Sequence, residues 1–293
     1  AAHGWRKMMT ALLGACELGL LMAVMSLGVF LSFRILNVPD LTIDGSFTTG
    51  CAVSAVCSGM QMHAFGLGMA VLCGALAGLI TGILQTKGKI QPILAGILTM
   101  TGLYSINLRI MGSKPNLFLE NTLFLQIKEL FPSSYSELIL ILVFLLVVIG
   151  ILVLFFTTQL GLALRATGDN EAMVKASSIN SDAMIILGLS LANAIVAFSG
   201  ALFVQYQGFS DINSGTGMMV IGLASVIVGE VFLTSRRLPV RFLSVVCGAL
   251  LYRFILTFAL QLGLEANDMK LLSAVLVIAA ISFPHMLRRC YHA

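Results

Sequence analysis

The chain has 293 residues, 58% hydrophobic and only 10% charged, with a formal net charge of +4 and a mean hydropathy of +1.00. A soluble globular domain carries about 25% charged residues, so this composition excludes one and leaves no room for a soluble catalytic domain. The apolar runs are continuous rather than alternating, which excludes a β-barrel. The expected fold is all-α, a polytopic membrane protein of about eight to ten helices or half-helices. It forms a single transmembrane domain over 1–293. The six cysteines show neither metal spacing nor a disulfide pattern and read as small apolar packers. Basic residues cluster at segment ends, where they set orientation, and no nucleic-acid partner is expected.

The opening AAHGWRKMMT is polar. Arg6 and Lys7 precede no apolar run with a cleavage signature, so no signal peptide is expected. The first span covers about 11–36 and contains Glu17. A carboxylate in a span is costly unless protein, water or the interface surrounds it, and a shallow position is the expectation. The stretch 37–57, NVPDLTIDGSFTTGCAVSAVC, is unusual for a membrane chain. Pro39 starts or breaks a helix, and Asp44 precedes Gly45 as a possible cap. Two readings stay open, an ordinary loop with a cap or a half-helix lining a path. The second would put Asp44, Gly45 and Phe47 beside that path.

A further span covers 64–84, with Gly74, Gly78 and Gly82 on one face. This spacing permits close helix approach, within the chain or between chains. The basic turn QTKGK follows at 85–89. The span 90–111 is polar for its kind, carrying Thr99, Thr101, Tyr104, Ser105 and Asn107. Interhelical hydrogen bonding is the plain explanation, and Asn107 also qualifies as a path residue. Residues 112–136 read as an external loop with a short amphipathic helix.

Two uncharged runs, 138–156 and 183–204, flank GLALRATGDNEAMVKASSINSD at 161–182. Asp169 or Asn170 can cap a short helix through EAMVKASS, with Glu171 in its first turn. Ser181 or Asp182 can cap the next span. In that span Ser190, Asn193, Ala197 and Gly200 make a small, polar-bearing stripe, expected to turn inward. The glycine-rich 205–217 leads to an apolar run at 218–232 that is short for a full span and suits a half-helix. A span at 240–262 and a last one at about 270–289 follow.

The basic turns and the central loop fall on one side, the cytoplasm. Nine elements would put the N-terminus outside; a stretch 37–57 that fails to cross would put it inside.

The stretch 161–202 resembles the bacterial ABC importer permeases of the branched-chain amino acid and ribose permease superfamily. Gly161, Ala163, Arg165, Ala166, Gly168, Asn170, Ala172, Ile179 and Asn180 match that family's loop motif. Met173 stands where a second alanine is common, and Ser178 replaces a glycine. The stretch DLTIDGSFTTG at 40–50 is similar to an uncharacterised amino-acid-type subgroup.

The resemblance implies a permease subunit paired with a second permease copy in the cytoplasmic (inner) membrane, in contact with membrane lipid. It implies two ATP-binding subunits that hold ATP-Mg, and an extracellular or periplasmic solute-binding protein. The loop 161–182 would be a coupling helix. Arg165, Gly168, Asp169, Asn170, Glu171 and Lys175 would meet the ATPase. No G-x-x-x-x-G-K-[ST] loop occurs in the sequence, so ATP hydrolysis is expected in a partner and no cofactor in this chain. An ion-driven secondary transporter is the alternative. The possible broken elements at 37–57 and 205–232 favour it, and the lack of a clear inward-facing acid pair counts against it. An intramembrane enzyme would need a catalytic or metal constellation that His63, His285 and His292 do not form.

Overall fold

A computed structural model describes residues 2–130, 135–233, 235, 237–262 and 271–278. Among these, six helices are long and apolar enough to cross a membrane. Helix α1 (Ala2–Phe30) continues as a π-helical turn at Leu31–Ile35. Then come α2 (Thr42–Gly59), α3 (His63–Thr86) and α4 (Pro92–Ile110). Strand β1 (Asn116–Phe118) and helix α5 (Leu123–Leu130) lead into α6 (Ser136–Thr157). The short helices α7 (Gln159–Asp169) and α8 (Glu171–Ala176) precede the long α9 (Ser181–Gln207). Strand β2 (Phe209–Asp211), α10 (Met218–Phe232) and α11 (Leu238–Gln261) follow. Of the last expected span, only 271–278 is described, and it is helical; the remainder lies outside the described residues. The chain is thus an all-α membrane protein. Among the described residues its one departure is the antiparallel pairing of β1 with β2, Asn116 opposite Asp211.

Helix α9 is the central post. It packs closely on α3 because Gly74, Gly78 and Gly82 face Asn193, Leu189 and Ile186. The glycine face is therefore spent inside the chain. Helix α2 packs on the same post, with Gly50 against the Ala197 carbonyl and Gly200 against Phe47.

These contacts fix direction. The start of α9 lies with the end of α3, and its finish lies with the end of α2. Tyr206, near the finish of α9, donates to Glu17 Oε2 at 2.8 Å, so α1 begins at that same end. Lys87, Lys89, Arg165, Lys175 and Arg237 belong to segments at the opposite end, which is the cytoplasmic one. Glu17 is 3% exposed and packs against Tyr206.

The route from α1 to α2 explains the N-terminus. Ile35 reaches the cytoplasmic loop at Gly168, and Leu36 lies against Gly188. The chain then climbs, and Asp40 meets Asn193, about 18 Å along α9 from Ser181. Helix α2 starts there and runs only to the outer end. The stretch 37–57 does not cross as a full helix, yet α1 still begins at the end opposite the basic segments. The climb at 36–41 supplies the missing half of the passage.

Gly78 and Gly102 give a matched test of this packing. A Cβ at Gly78 would overlap the Leu189 carbonyl, while nothing lies within 4 Å of one at Gly102. We expect Gly78→Ala to destabilise by roughly 1–3 kcal/mol, and Gly102→Ala to leave stability unchanged or raise it by up to about 1 kcal/mol. Thermal unfolding of the detergent-solubilised protein reads both.

Candidate functional site

Two half-helices meet by their N-termini in the middle of the bundle. Helix α2 rises from mid-depth to the outer end. After β2, the chain re-enters through 212–217, and α10 runs from mid-depth to the cytoplasmic end. Asp44, in the first turn of α2, holds the two together. Its Oδ2 accepts from Gly217 N at 2.9 Å and its Oδ1 from Met219 N at 2.8 Å. Gly215 N donates to Thr48 Oγ1 at 3.1 Å. Gly217 N and Met219 N are groups that the start of a helix leaves without internal partners. Two glycines make the fit possible. Gly217 has φ +85, which most side chains resist. A Cβ at Gly215 would overlap the Asp44 carbonyl.

A second carboxylate serves α2 itself. Asp40 is fully buried, and its Oδ1 accepts from Thr42 N at 2.9 Å. Asn193 Nδ2 donates to Asp40 Oδ2 at 2.6 Å, and Asn193 Oδ1 accepts from Ser46 Oγ at 2.7 Å. Thr42 and Thr81 hydroxyls meet at 2.7 Å. Asp40 and Asp44 do not amount to a coupling acid pair, since each is spent on backbone N–H groups. Both carboxylates are engaged on helix N-termini. This apposition depends on the long return from 40 to 193, which no local pattern in the sequence displays.

The path residues read from the sequence gather here. Gly45 lies against Met100 and Leu103 of α4. Asn107 is buried and donates Nδ2 to the Gly45 carbonyl at 3.4 Å, while its Oδ1 has no partner. Phe47 is fully buried and packs its ring 5.6 Å from Phe203. Asp44 alone of these side-chain carriers keeps partial exposure. Thr101, Tyr104 and Ser105 of α4 are exposed, as is Thr216 before α10.

At the cytoplasmic end, the loop 161–182 folds as two helices rather than one. Helix α7 runs through Gly168, so the turn falls at Asn170. Gly168 is helical, and its bare Cα lets α7 abut Ile35 and Leu36. Asn170 Oδ1 caps α8 by accepting from Met173 N at 3.1 Å. The cap of α9 is Asn180, accepting from Ala183 N at 3.1 Å, one residue ahead of the expected Ser181 or Asp182. Glu171 pairs with Lys175 at 2.7 Å and accepts from Ser181 Oγ at 3.2 Å. Lys175 first, and Ser181 less, hold the Glu171 carboxyl below the usual carboxylate range. The link is therefore intact at neutral pH and weakens only as pH falls through that lowered value. Val174 anchors α8 inward, while Asp169, Glu171, Met173 and Lys175 face out. Arg165 is half-buried and makes no ion pair among the described residues.

One charged node was not read from the sequence. Glu230 Oε1, near the end of α10, accepts from Arg34 Nε at 2.8 Å and Arg241 Nη2 at 3.4 Å. Arg241 also lies 5.0 Å from the Phe30 ring centre. Charges near span ends were the available signal, but their pairing spans three elements.

Asn193→Ala would leave Asp40 Oδ2 without its donor and Ser46 without its acceptor. We expect a stability loss of roughly 1–3 kcal/mol, seen as a lower thermal midpoint, and a smaller loss for Ser46→Ala.

Known proteins share this sequence along its length. The family described as branched-chain amino acid transport system / permease component matches residues 12–281. A tyrosine transport system permease protein of Clostridioides difficile (strain R20291) is 38% identical over 276 residues, 94% of this chain and 91% of that protein. An uncharacterized protein of Rickettsia prowazekii (strain Madrid E) is 34% identical over 284 residues, 94% of this chain and 98% of its own. A ribose import permease protein of Escherichia coli (strain K12) is 24% identical over 267 residues, 88% and 80% of the two chains. No solved structure matches.

Proposed function

The chain belongs to the family of branched-chain amino acid transport system permease components, and from that premise we propose that it is the membrane subunit of an ATP-driven amino-acid importer. It is a multi-pass inner-membrane protein. The observation that carries the reading is the way the loop 161–182 packs against the bundle. Helices α7 and α8 are fixed to the bundle through Gly168, Leu164 and Val174, and they leave an outer face of Asp169, Glu171, Met173 and Lys175 free. That is what a coupling element needs: firm attachment on one side and an open docking face on the other. ATP would be bound and hydrolysed, with Mg, by two partner subunits. A binding protein outside would deliver the solute.

Amino acids are favoured as the solute class by the 38% identity to a relative named for tyrosine transport, against 24% to one named for ribose. The path would pass Asp44, Gly45 and Asn107, with Phe47 and Asn193 packed behind them. Asp44 is half-exposed at mid-depth, and hydrocarbon is a poor neighbour for a carboxylate. The exposed hydroxyls of Thr101, Tyr104 and Ser105 form a separate polar stripe on α4, which suits water or a second permease copy better than lipid.

The test is reconstitution with the ATPase and the binding protein in liposomes. ATP-dependent uptake of a labelled amino acid, aromatic ones included, is expected. Uptake driven by an ion gradient without the ATPase would favour a secondary transporter and overturn the reading. Single cysteines at 169–175 should crosslink to the ATPase. Arg165→Ala should lower uptake several-fold while solute binding by the separate binding protein is unchanged. Normal uptake in Arg165→Ala with no crosslink in any nucleotide state would remove the coupling role.

A further inference from the structure

A cleft of about 220 Å³ lies between the cytoplasmic loop and the link that joins α1 to α2. Its lining comes from three segments far apart in the sequence. Leu36, Val38 and Ile185 supply apolar surface. Asn37, Thr167 and Glu171 supply polar groups, and Gly168 completes the lining. The polar groups include unspent acceptors, and no basic residue lines the cleft. Glu171 Oε1 takes both Lys175 and Ser181, while its Oε2 has no partner among the described residues. The Asn37 side chain is exposed and makes no hydrogen bond among the described residues. Thr167 Oγ1 donates to the Ala163 carbonyl at 2.8 Å and can still accept. Small-molecule sites usually span roughly 300–1,000 Å³, so this cleft is sized for one long side chain. Apolar surface beside an ionised carboxylate matches arginine in particular. Its stem would lie on Leu36, Val38 and Ile185, and its planar head has donors enough for Glu171 Oε2 and Asn37 together. A lysine offers a compact charge with fewer donors.

We propose that the cleft receives an arginine of the ATP-binding subunit, a contact that deepens the coupling reading above and rests on it. Position favours that partner. Glu171 belongs both to the cleft and to the outer face of Asp169, Glu171, Met173 and Lys175, so whatever covers that face reaches the cleft too. The contact differs from docking on the outer face alone. It engages residues 36–38, the foot of the climb to Asp40, as well as α8. A moving ATPase would then pull on the loop and on the link between α1 and α2 together. The outer face by itself gives a grip on the loop only.

The test uses the full permease with its ATPase in lipid nanodiscs. Asn37→Cys is labelled with two thiosulfonate reagents of similar size, one cationic and one anionic, and the unmodified permease sets the background rate. Without the ATPase, the cationic reagent should react several-fold faster, and Glu171→Gln in the same chain should remove most of that preference. Adding the ATPase should slow the cationic reagent at least about tenfold. Glu171→Arg should weaken ATPase binding at least about tenfold, since like charges would face each other. One Arg→Glu change on the permease-facing surface of the ATPase should recover most of that loss. Equal labelling at 37 with and without the ATPase, while cysteines at 169–175 still crosslink to it, would overturn the proposal and leave the coupling reading standing. Failure of every Arg→Glu change to rescue Glu171→Arg would overturn it as well. If Glu171→Arg does not fold, protection at 37 decides alone, and Val38→Cys replaces Asn37→Cys if that variant does not assemble. Absence of any crosslink from 169–175, with normal uptake in Arg165→Ala, would instead refute the coupling reading.

Discussion

Two helix N-termini abut in the middle of this membrane bundle, and they carry partial charge of the same sign. Each end amounts to roughly half a positive charge, in surroundings that screen poorly. Left alone, α2 and α10 would repel. Asp44 resolves this by belonging to the first turn of one and accepting from the first free N–H groups of the other. Asp40 adds a second carboxylate at the α2 end and is itself held by Asn193 of α9. The rest of the architecture accommodates this junction. The extended climb at 36–41 lifts the chain to mid-depth. The re-entrant stretch 212–217 brings it back down. The pairing of β1 with β2 sits directly above that re-entry and ties it to the loop after α4.

Much of this was legible in the sequence, and the limits have physical causes. The spans follow from length and apolar composition. The half-helix character of 218–232 followed from its shortness, and Asn170 as a cap followed from its place before Glu171. Gly74, Gly78 and Gly82 announced close packing but not the partner, because spacing defines a face and not what meets it. Gly168 does not turn the chain, which stays helical through it. It instead allows contact between α7 and Ile35, a tertiary reason that no local pattern reveals. Asp44 reads as a cap from its place before Gly45, but the N–H groups it takes belong to α10, 173 or more positions away, and Asp40 meets a partner 153 positions away on α9.

The same geometry supplies a mechanical route from the cytoplasmic loop to the junction. Helix α7 touches Ile35 through Gly168, with no side chain to cushion the contact. Ile35 ends a π-helical turn, a form of helix that recurs at functional sites because its wider turn is less regular than its neighbours. Within that turn, Arg34 reaches across to Glu230, and Glu230 stands near the cytoplasmic end of α10. Helix α10 is packed along its length by glycines, with Gly222 on Val29 and Gly229 on Ser244. These contacts hold it close against α1 and α11. Its other end is the one that Asp44 holds. Between α7 and Asp44 lie one backbone contact, one ion pair and one helix. The ion pair is exposed enough to be weak on its own. Its value lies in registration, since it fixes which turn of α10 answers to the end of α1.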